Sequence, residues 1–397
     1  MKLKSNSIVF KTNSFPEKTE TFIVSNIVET IKQNFPISII VDNIKSKKKS
    51  SQPSLIEQYK LLDRVVSFSQ PQGKTMRYFK AIQLVLNPII LYFFVKYWIL
   101  KKKKSLDYIF ILHFYKNFRN TKVFHIHFAN TLSPLIELKK IGFLDSVLIV
   151  TFHGYDAHFL PKGNNLKYLL DDYNKYVNQI IVNSLYVKNI LVSKGFSIGH
   201  IKIIPIGYDN EVFKTEKPKE FTRHPFKIIS VGRLEKIKGH EYGIRAIKLL
   251  VERGYKIEFS IIGEGSEFKK LKALIQELNL NDTISLMGTK SQLEIKELLK
   301  SHQLFLMTST ADENKRREAF GVVSLEAQAM GLPVIGFDSG GFPETIVENK
   351  TGILVKDKDY NELSESIEKI LNNAELYKSM SDYAIEHVQK KFNPHCT

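Results

Sequence analysis

REAFGVVSLEAQAMGLPVIG, residues 317–336, is the stretch on which the fold reading turns. A helix begins between Glu318 and Glu326 and covers about 321–330, and PVIGFD (333–338) behind it is a short apolar run of strand type. Working outward, FKIISVG (226–232), IEFSIIG (257–263), TISLMG (283–288) and QLFLMTS (303–309) read as further strands. Helical stretches lie near 240–253, 266–279 and 291–300, with a helical tail from about 360. Five strands, each followed by a helix, predict a doubly wound parallel α/β sheet, a fold whose ligands bind at the carboxyl ends of the strands.

The first half repeats this grammar less regularly, with SIVF (7–10), ISIIV (37–41), KVFHIHF (122–128), VLIVTFHG (147–154), NQIIVNS (178–184) and HIKIIPIG (200–207) as strands. It reads as a second Rossmann-like domain. TEKPKEFTRHP (215–225), with two prolines and no apolar periodicity, reads as the linker between an N-terminal domain (1–214) and a C-terminal one (226–397). A ligand is then expected in the cleft between two facing domains.

The 397 residues, 43% hydrophobic and 25% charged, are enough for two ordinary cores and carry no compositional sign of disorder. The single cysteine, Cys396, excludes an intramolecular disulfide and a cysteine-built metal site. The opening MKLKSNSIVF lacks the apolar stretch of a secretion signal, so the expected location is the cytoplasm. Net charge is +17, and residues 1–220 hold 33 Lys and Arg against 16 Asp and Glu. Residues 43–122 alone hold 17 against 3, which points to an anionic surface as partner.

AIQLVLNPIILYFFVKYWIL (81–100) is long enough to be tested as a membrane span, but Gln83, Asn87, Pro88 and Lys96 interrupt it. Its aromatic residues, followed by Lys101 to Lys104, suit either an interfacial segment or a surface helix packed on the sheet. A peripheral association with the inner face of the cell membrane is therefore expected.

In the second half, the amino end of the helix near 321 presents backbone N–H groups around Phe320 to Val323, Val322 included, and its dipole favours an anion. A diphosphate fits there. Glu326 lies about two turns in, where a helical side chain tilts back toward the amino end, and a carboxylate at that place can accept from the vicinal hydroxyls of a ribose. GRLEKIKG (232–239) adds Arg233 and Lys238 after the first strand of the same half. Taken singly, either glutamate reads as an ordinary surface residue. GEGSEF (263–268) allows close backbone approach but lacks the third glycine of a dinucleotide fingerprint.

GRLEKIKG, GEGSEFKKL, EAFGVVSLEA, GLPVIGFDSGGFPET and TGILV, in this order and spacing, resemble the donor-binding domain of the retaining GT-B glycosyltransferases of family 4. FPEKTETFI (15–23), HIHFAN (125–130), TFHGYD (151–156) and VNSLYVKNILVSKGF (182–196) resemble the acceptor domain of the bacterial exopolysaccharide and lipopolysaccharide branch. The resemblance implies that Arg233 and Lys238 hold the diphosphate, that Glu326 takes the ribose hydroxyls, and that Glu318 binds the donor sugar with the backbone of Phe320 and Gly321. It further implies that His153 reaches the donor sugar from the opposite domain, and that Gly288 and Thr289 meet the base. Two features depart from the family pattern: the loop ADENKRRE (311–318) is longer and more basic, and relatives usually continue beyond FNPHCT into a further helix.

The expected enzyme is a hexosyltransferase using a nucleoside-diphosphate sugar, UDP by preference, with a surface glycan or lipid-linked saccharide as acceptor, no metal and no other cofactor. Asp357 and Asp359 spell a D-x-D but read as helix-start acids, and His125 and His127 share one strand face without an evident third ligand. Lys315, Arg316 and Arg317 read as a solvated loop. A sugar-nucleotide epimerase of the same fold would have no use for the basic aromatic segment, and no nucleic-acid motif accompanies the positive charge. The resemblance also implies retention of anomeric configuration; Asp156 is the nearest acid for any base on the opposite face.

Overall fold

Strands that are apolar along their whole length need cover on both faces, and the computed structural model provides it. The structure describes residues 7–393 except Thr19, Lys103, Lys104, Glu216 and Arg223. Cys396 and part of the Lys101–Lys104 run lie outside the described residues.

The chain divides into two units, the first comprising 1–182 with 190–202 and the second 183–189 with 203–397. The first carries seven strands: β1 (Ile8–Phe15), β2 (Ile37–Ile44), β3 (Val65–Ser67), β4 (Val123–His127), β5 (Val147–Phe152), β6 (Gln179–Val182) and β7 (Ile201–Ile203). Their order is β3-β2-β1-β4-β5-β6-β7. β1 is an interior strand, pairing in parallel with β2 (Phe10 opposite Ile39) and with β4 (Phe10 opposite His125). The second unit carries β8 (Phe226–Val231), β9 (Ile257–Ile262), β10 (Ile284–Leu286), β11 (Leu304–Met307), β12 (Val334–Phe337) and β13 (Gly352–Val355). Here the order is β10-β9-β8-β11-β12-β13, the doubly wound order in which chain direction across the sheet reverses between its first and fourth strands.

Successive residues of β8 show the cover on both faces. Ile228 joins one fully buried cluster with Ile244, Phe259 and Leu306, while Ile229 joins the cluster on the other face with Phe305, Leu325 and Val334. Two short strands, β3 and β13, do not stand out in the sequence. They span three and four residues.

Residues 203–225, read from sequence partly as first domain and partly as linker, pack with the second unit. Tyr208 and Phe213 are buried in its core, and Phe221 lies against Phe226 and Tyr377. Lys219 donates its backbone N–H to Ser381 Oγ (2.8 Å) and its side chain to the carbonyl of Leu299 (2.7 Å). The prolines and charges of this stretch conceal the aromatic anchors between them.

The segment around residues 81–104 is two helices, Lys74–Val85 and Pro88–Lys101, meeting at a 113° bend. Asn87 caps the second, accepting from the backbone N–H of Ile89 (3.1 Å). Among the described residues no single helix is long and apolar enough to cross a membrane.

Candidate functional site

In the second unit, the switch point opens between the ends of β8 and β11, and the loop after β8 (Gly232–Gly239) is fixed there by the loop after β9. Leu234 donates its N–H to the carbonyl of Glu264 (2.9 Å), and Glu267 donates to the carbonyl of Leu234 (2.8 Å). A Cβ on Gly263 would stand 1.9 Å from the carbonyl oxygen of Gly232, and its φ of +144° is one L side chains rarely adopt. The close approach that GEGSEF permits is thus to the 232–234 backbone.

Lys238, from this loop, forms an ion pair with Glu318, and each side chain is 17% exposed. Burial opposes ionisation of Glu318, but the charge and hydrogen bond of Lys238, with the charge of Arg233, outweigh it and hold the carboxyl below its usual range. Arg233 is mostly exposed and pairs with Glu235 at 2.8 Å. The two cations expected to serve a diphosphate therefore differ: Arg233 faces solvent, and Lys238 is already neutralised by the glutamate assigned to the sugar.

The backbone of Glu318 is clamped from the other side. Gly341 donates to its carbonyl (2.8 Å), and a Cβ on Gly340, at φ +68°, would stand 2.2 Å from the same oxygen. Beyond it the side chain of Phe320 is buried edge-on to Phe392, which leaves only its backbone for a ligand. Gly321, at φ +93°, turns the chain into the helix Val322–Ala329, with no side-chain cap. Glu326 on that helix is buried, unlike an ordinary surface glutamate, and burial together with the nearby charge of Asp209 pushes its carboxyl up to about 8. Gly288 accepts the N–H of Gly263 through its carbonyl (2.9 Å), so it too borders the glycine crossing, and Thr289 beside it is exposed.

The basic loop is less solvated than its composition implies. Asp312 receives the N–H and Nε of Arg316 (2.9 and 2.6 Å), and Arg317 donates to Ser339 Oγ (2.6 Å) and pairs with Asp357. Asp357 also receives the hydroxyl of Thr310, so it braces this loop, while Asp359 alone caps the helix Tyr360–Leu371 through the N–H groups of Asn361 and Glu362. No group of three His, Cys, Asp or Glu among the described residues could hold a metal ion.

In the first unit, His125, His127 and His153 form a stack near the ends of β4 and β5, with His127 buried and the other two half-buried. His127 Nδ1 is 3.0 Å from His153 Nε2, the rings of His125 and His127 are 4.5 Å apart, and His125 Nε2 lies 2.8 Å from Thr151 Oγ1. Burial, with the charge of His125 adding to it, lowers His153 to about 3, so the imidazole is neutral at any physiological pH. Asp156 is occupied: Oδ1 accepts the N–H of His153 (3.0 Å) and Gly154 (3.1 Å), and Oδ2 that of Ala129 (3.0 Å). Its carboxylate ties two loops together, and burial, only partly offset by these backbone N–H groups, pushes it up to about 6.

Two family models match consecutive parts of the chain, "Glycosyltransferase Family 4" over 63–212 and "Glycosyl transferases group 1" over 212–387. The chain belongs to these glycosyltransferases. A similar relative of the enzyme is the amylovoran biosynthesis glycosyltransferase AmsK of Erwinia amylovora, 25% identical over 98% of this chain and 96% of that protein. Another is the colanic acid biosynthesis glycosyltransferase WcaL of Escherichia coli, described as putative, 27% identical over 62% of this chain and 60% of its own. Among solved structures, HepE of Anabaena in complex with UDP and glucose superposes with a TM-score of 0.72 at 18% identity, covering 98% of this chain and 96% of that one. That likeness shows the GT-B fold. For the glycosyltransferase, the sequence nominated candidate residues but not their pairings. Lys238–Glu318 and His127–His153 join residues 80 and 26 positions apart, and no local spacing signals either.

Proposed function

We propose that this glycosyltransferase moves a hexose from a UDP-sugar to a lipid-linked or growing bacterial surface polysaccharide, with retention of anomeric configuration. The observation that carries the donor half is the Lys238–Glu318 ion pair beside the amino end of helix Val322–Ala329. A diphosphate arriving at that end accepts from backbone N–H groups, Arg233 and Lys238. As the phosphate takes Lys238, the carboxylate of Glu318 is released to accept from sugar hydroxyls. Glu326 serves the ribose, Phe320 and Val322 contribute backbone, Gly288 and Thr289 border the base, and His153 contacts the donor sugar. UDP in the HepE complex supports the choice of nucleotide, and the exopolysaccharide names of AmsK and WcaL support the acceptor class.

Retention follows from the supply of charge on the phosphate side: Arg233, Lys238 and the helix amides stabilise the departing diphosphate, whose oxygen takes the acceptor's proton as the new bond forms on the same face. No divalent metal is needed for that step. Proton NMR of the first product from an α-linked donor tests it; an α-coupling is expected, and a β-coupling overturns the mechanism.

The acceptor is met at an anionic bilayer on the cytoplasmic side. Phe79, Tyr92 and Ile99 stand exposed on the two bent helices and Leu86 at the bend between them, alongside Lys74 and Lys80. Buried Ile90, Phe93 and Tyr97 anchor the second helix to its own unit. Such an exposed apolar surface with lysines at its margins matches an interfacial anchor.

A further inference from the structure

We infer that His127 is a positioning residue for His153, holding it by Nε2 in one neutral tautomer and one ring orientation so that Nδ1 is the atom left for a ligand. The inference rests on the reading of His153 as a donor-sugar contact, and extends it to a residue for which that reading has no role.

Four features of the first unit carry it. The two residues end adjacent parallel strands, where His127 pairs with Thr151 two residues before His153. His127 Nδ1 and His153 Nε2 are 3.0 Å apart with nearly parallel rings, 16° between planes. One proton between two neutral imidazoles satisfies both nitrogens and occupies His153 Nε2 whichever ring supplies it. The ring of His153 is also enclosed: Phe22 stacks on it at 4.3 Å and Phe128 lies against it at 4.7 Å, while Asp156 fixes its backbone N–H.

The remaining nitrogens complete the pattern. His127 Nε2 and His153 Nδ1 are both buried and have no hydrogen-bond partner among the described residues. A buried polar atom without a partner costs stability, and at His153 Nδ1 a ligand hydroxyl removes that cost. His125 does not compete for the bond, because its Nε2 is engaged with Thr151 Oγ1 at 2.8 Å. Lys11, buried close by on β1, is committed to the carbonyl of Thr131.

The test is long-range proton–nitrogen NMR on the full chain labelled with ¹⁵N-histidine, without donor, comparing wild type with His127→Phe and His127→Asn. Phenylalanine keeps a ring and removes the bond; asparagine places a polar atom near the position of Nδ1. The expected result is a single neutral tautomer of His153 in the wild type, mixed tautomers in His127→Phe and recovery in His127→Asn. In parallel, kcat falls about tenfold in His127→Phe, the rate equivalent of one neutral hydrogen bond, and returns to within about threefold in His127→Asn, with donor KM nearly unchanged. A mixed-tautomer His153 in the unaltered chain overturns the inference with no variant at all. So does a folded His127→Phe whose His153 signals match the wild type. Unchanged transfer by His153→Ala would instead sink the sugar-contact reading and leave the pairing standing, so the two failures are distinguishable.

Discussion

Lys238 and Glu318, from the loops that follow the first and fourth strands of the second unit's sheet, are bound to each other in a largely buried ion pair. Removing one member of such a pair strands the other charge, typically at a cost of about 3–5 kcal/mol, whereas removing both costs less. Lys238→Ala is therefore expected to be the least stable variant of the set, with Lys238→Ala/Glu318→Ala recovering at least 1 kcal/mol of the loss. Urea unfolding of the four proteins checks this, and strict additivity would mean the pair is not coupled.

The two glutamates separate binding from chemistry. Glu326→Ala is expected to weaken free UDP and the sugar nucleotide alike. Glu318→Ala does not weaken UDP binding, because Lys238 is then free for the phosphate, while it lowers turnover, because contacts that strengthen in the transition state act on rate. Calorimetry with UDP, set beside steady-state kinetics, decides it. Equal loss of UDP affinity in both variants contradicts the assignment.

Glu326 also makes stability depend on pH. Its folded pKa, about 8, exceeds the unfolded value of about 4.3, so between these values the folded chain binds more protons than the unfolded one. Stability from this group is complete below the unfolded pKa and is lost as pH rises through the window to about 8. Glu326→Gln, neutral throughout, is expected to flatten the decline, and to be more stable than wild type at pH 8 by a few kcal/mol at most. Chemical denaturation at pH 5.5 and pH 8 measures both effects. Parallel pH slopes for the two proteins would show that Glu326 ionises normally.

Gly340→Ala forces a methyl group to within 2.2 Å of the Glu318 carbonyl oxygen at φ +68°, whereas Gly254→Ala at φ +88° meets nothing within 4 Å. The second substitution carries only the left-handed backbone penalty of about 1–2 kcal/mol. Gly340→Ala should cost more than that and lower kcat as Glu318 is displaced. Comparable melting temperatures and unchanged kcat would show that the Gly340 approach does not position Glu318.

Sedimentation with vesicles checks the exposed helical surface. Binding to anionic vesicles is expected, weakening with salt, each lysine near the surface contributing about 1 kcal/mol. Phe79→Ser/Leu86→Ser should abolish it without lowering the melting temperature, since both side chains are exposed. Equal recovery with neutral vesicles, or none with either, counts against the membrane reading.

The alternation of strand and helix in the second half is legible in the residues alone, because strands such as LFLM (304–307) are covered on both faces and show it as unbroken apolar runs, and because Gly321 marks the helix entry. Motif order was enough to nominate Arg233, Lys238, Glu318 and Glu326. Tertiary structure alone decided what those groups touch. Glu318 meets Lys238 across 80 residues of chain, Asp357 braces the basic loop instead of capping a helix, and Asp156 spends its oxygens on three backbone N–H groups. It also placed the proline-bearing stretch before β8 in the second unit, through the burial of Tyr208 and Phe213. The physical reason is one of range. Periodicity, caps and glycine turns are local and are written in adjacent residues, whereas the burial and partner of a charge depend on strands brought together by sheet order, which no spacing along the chain records.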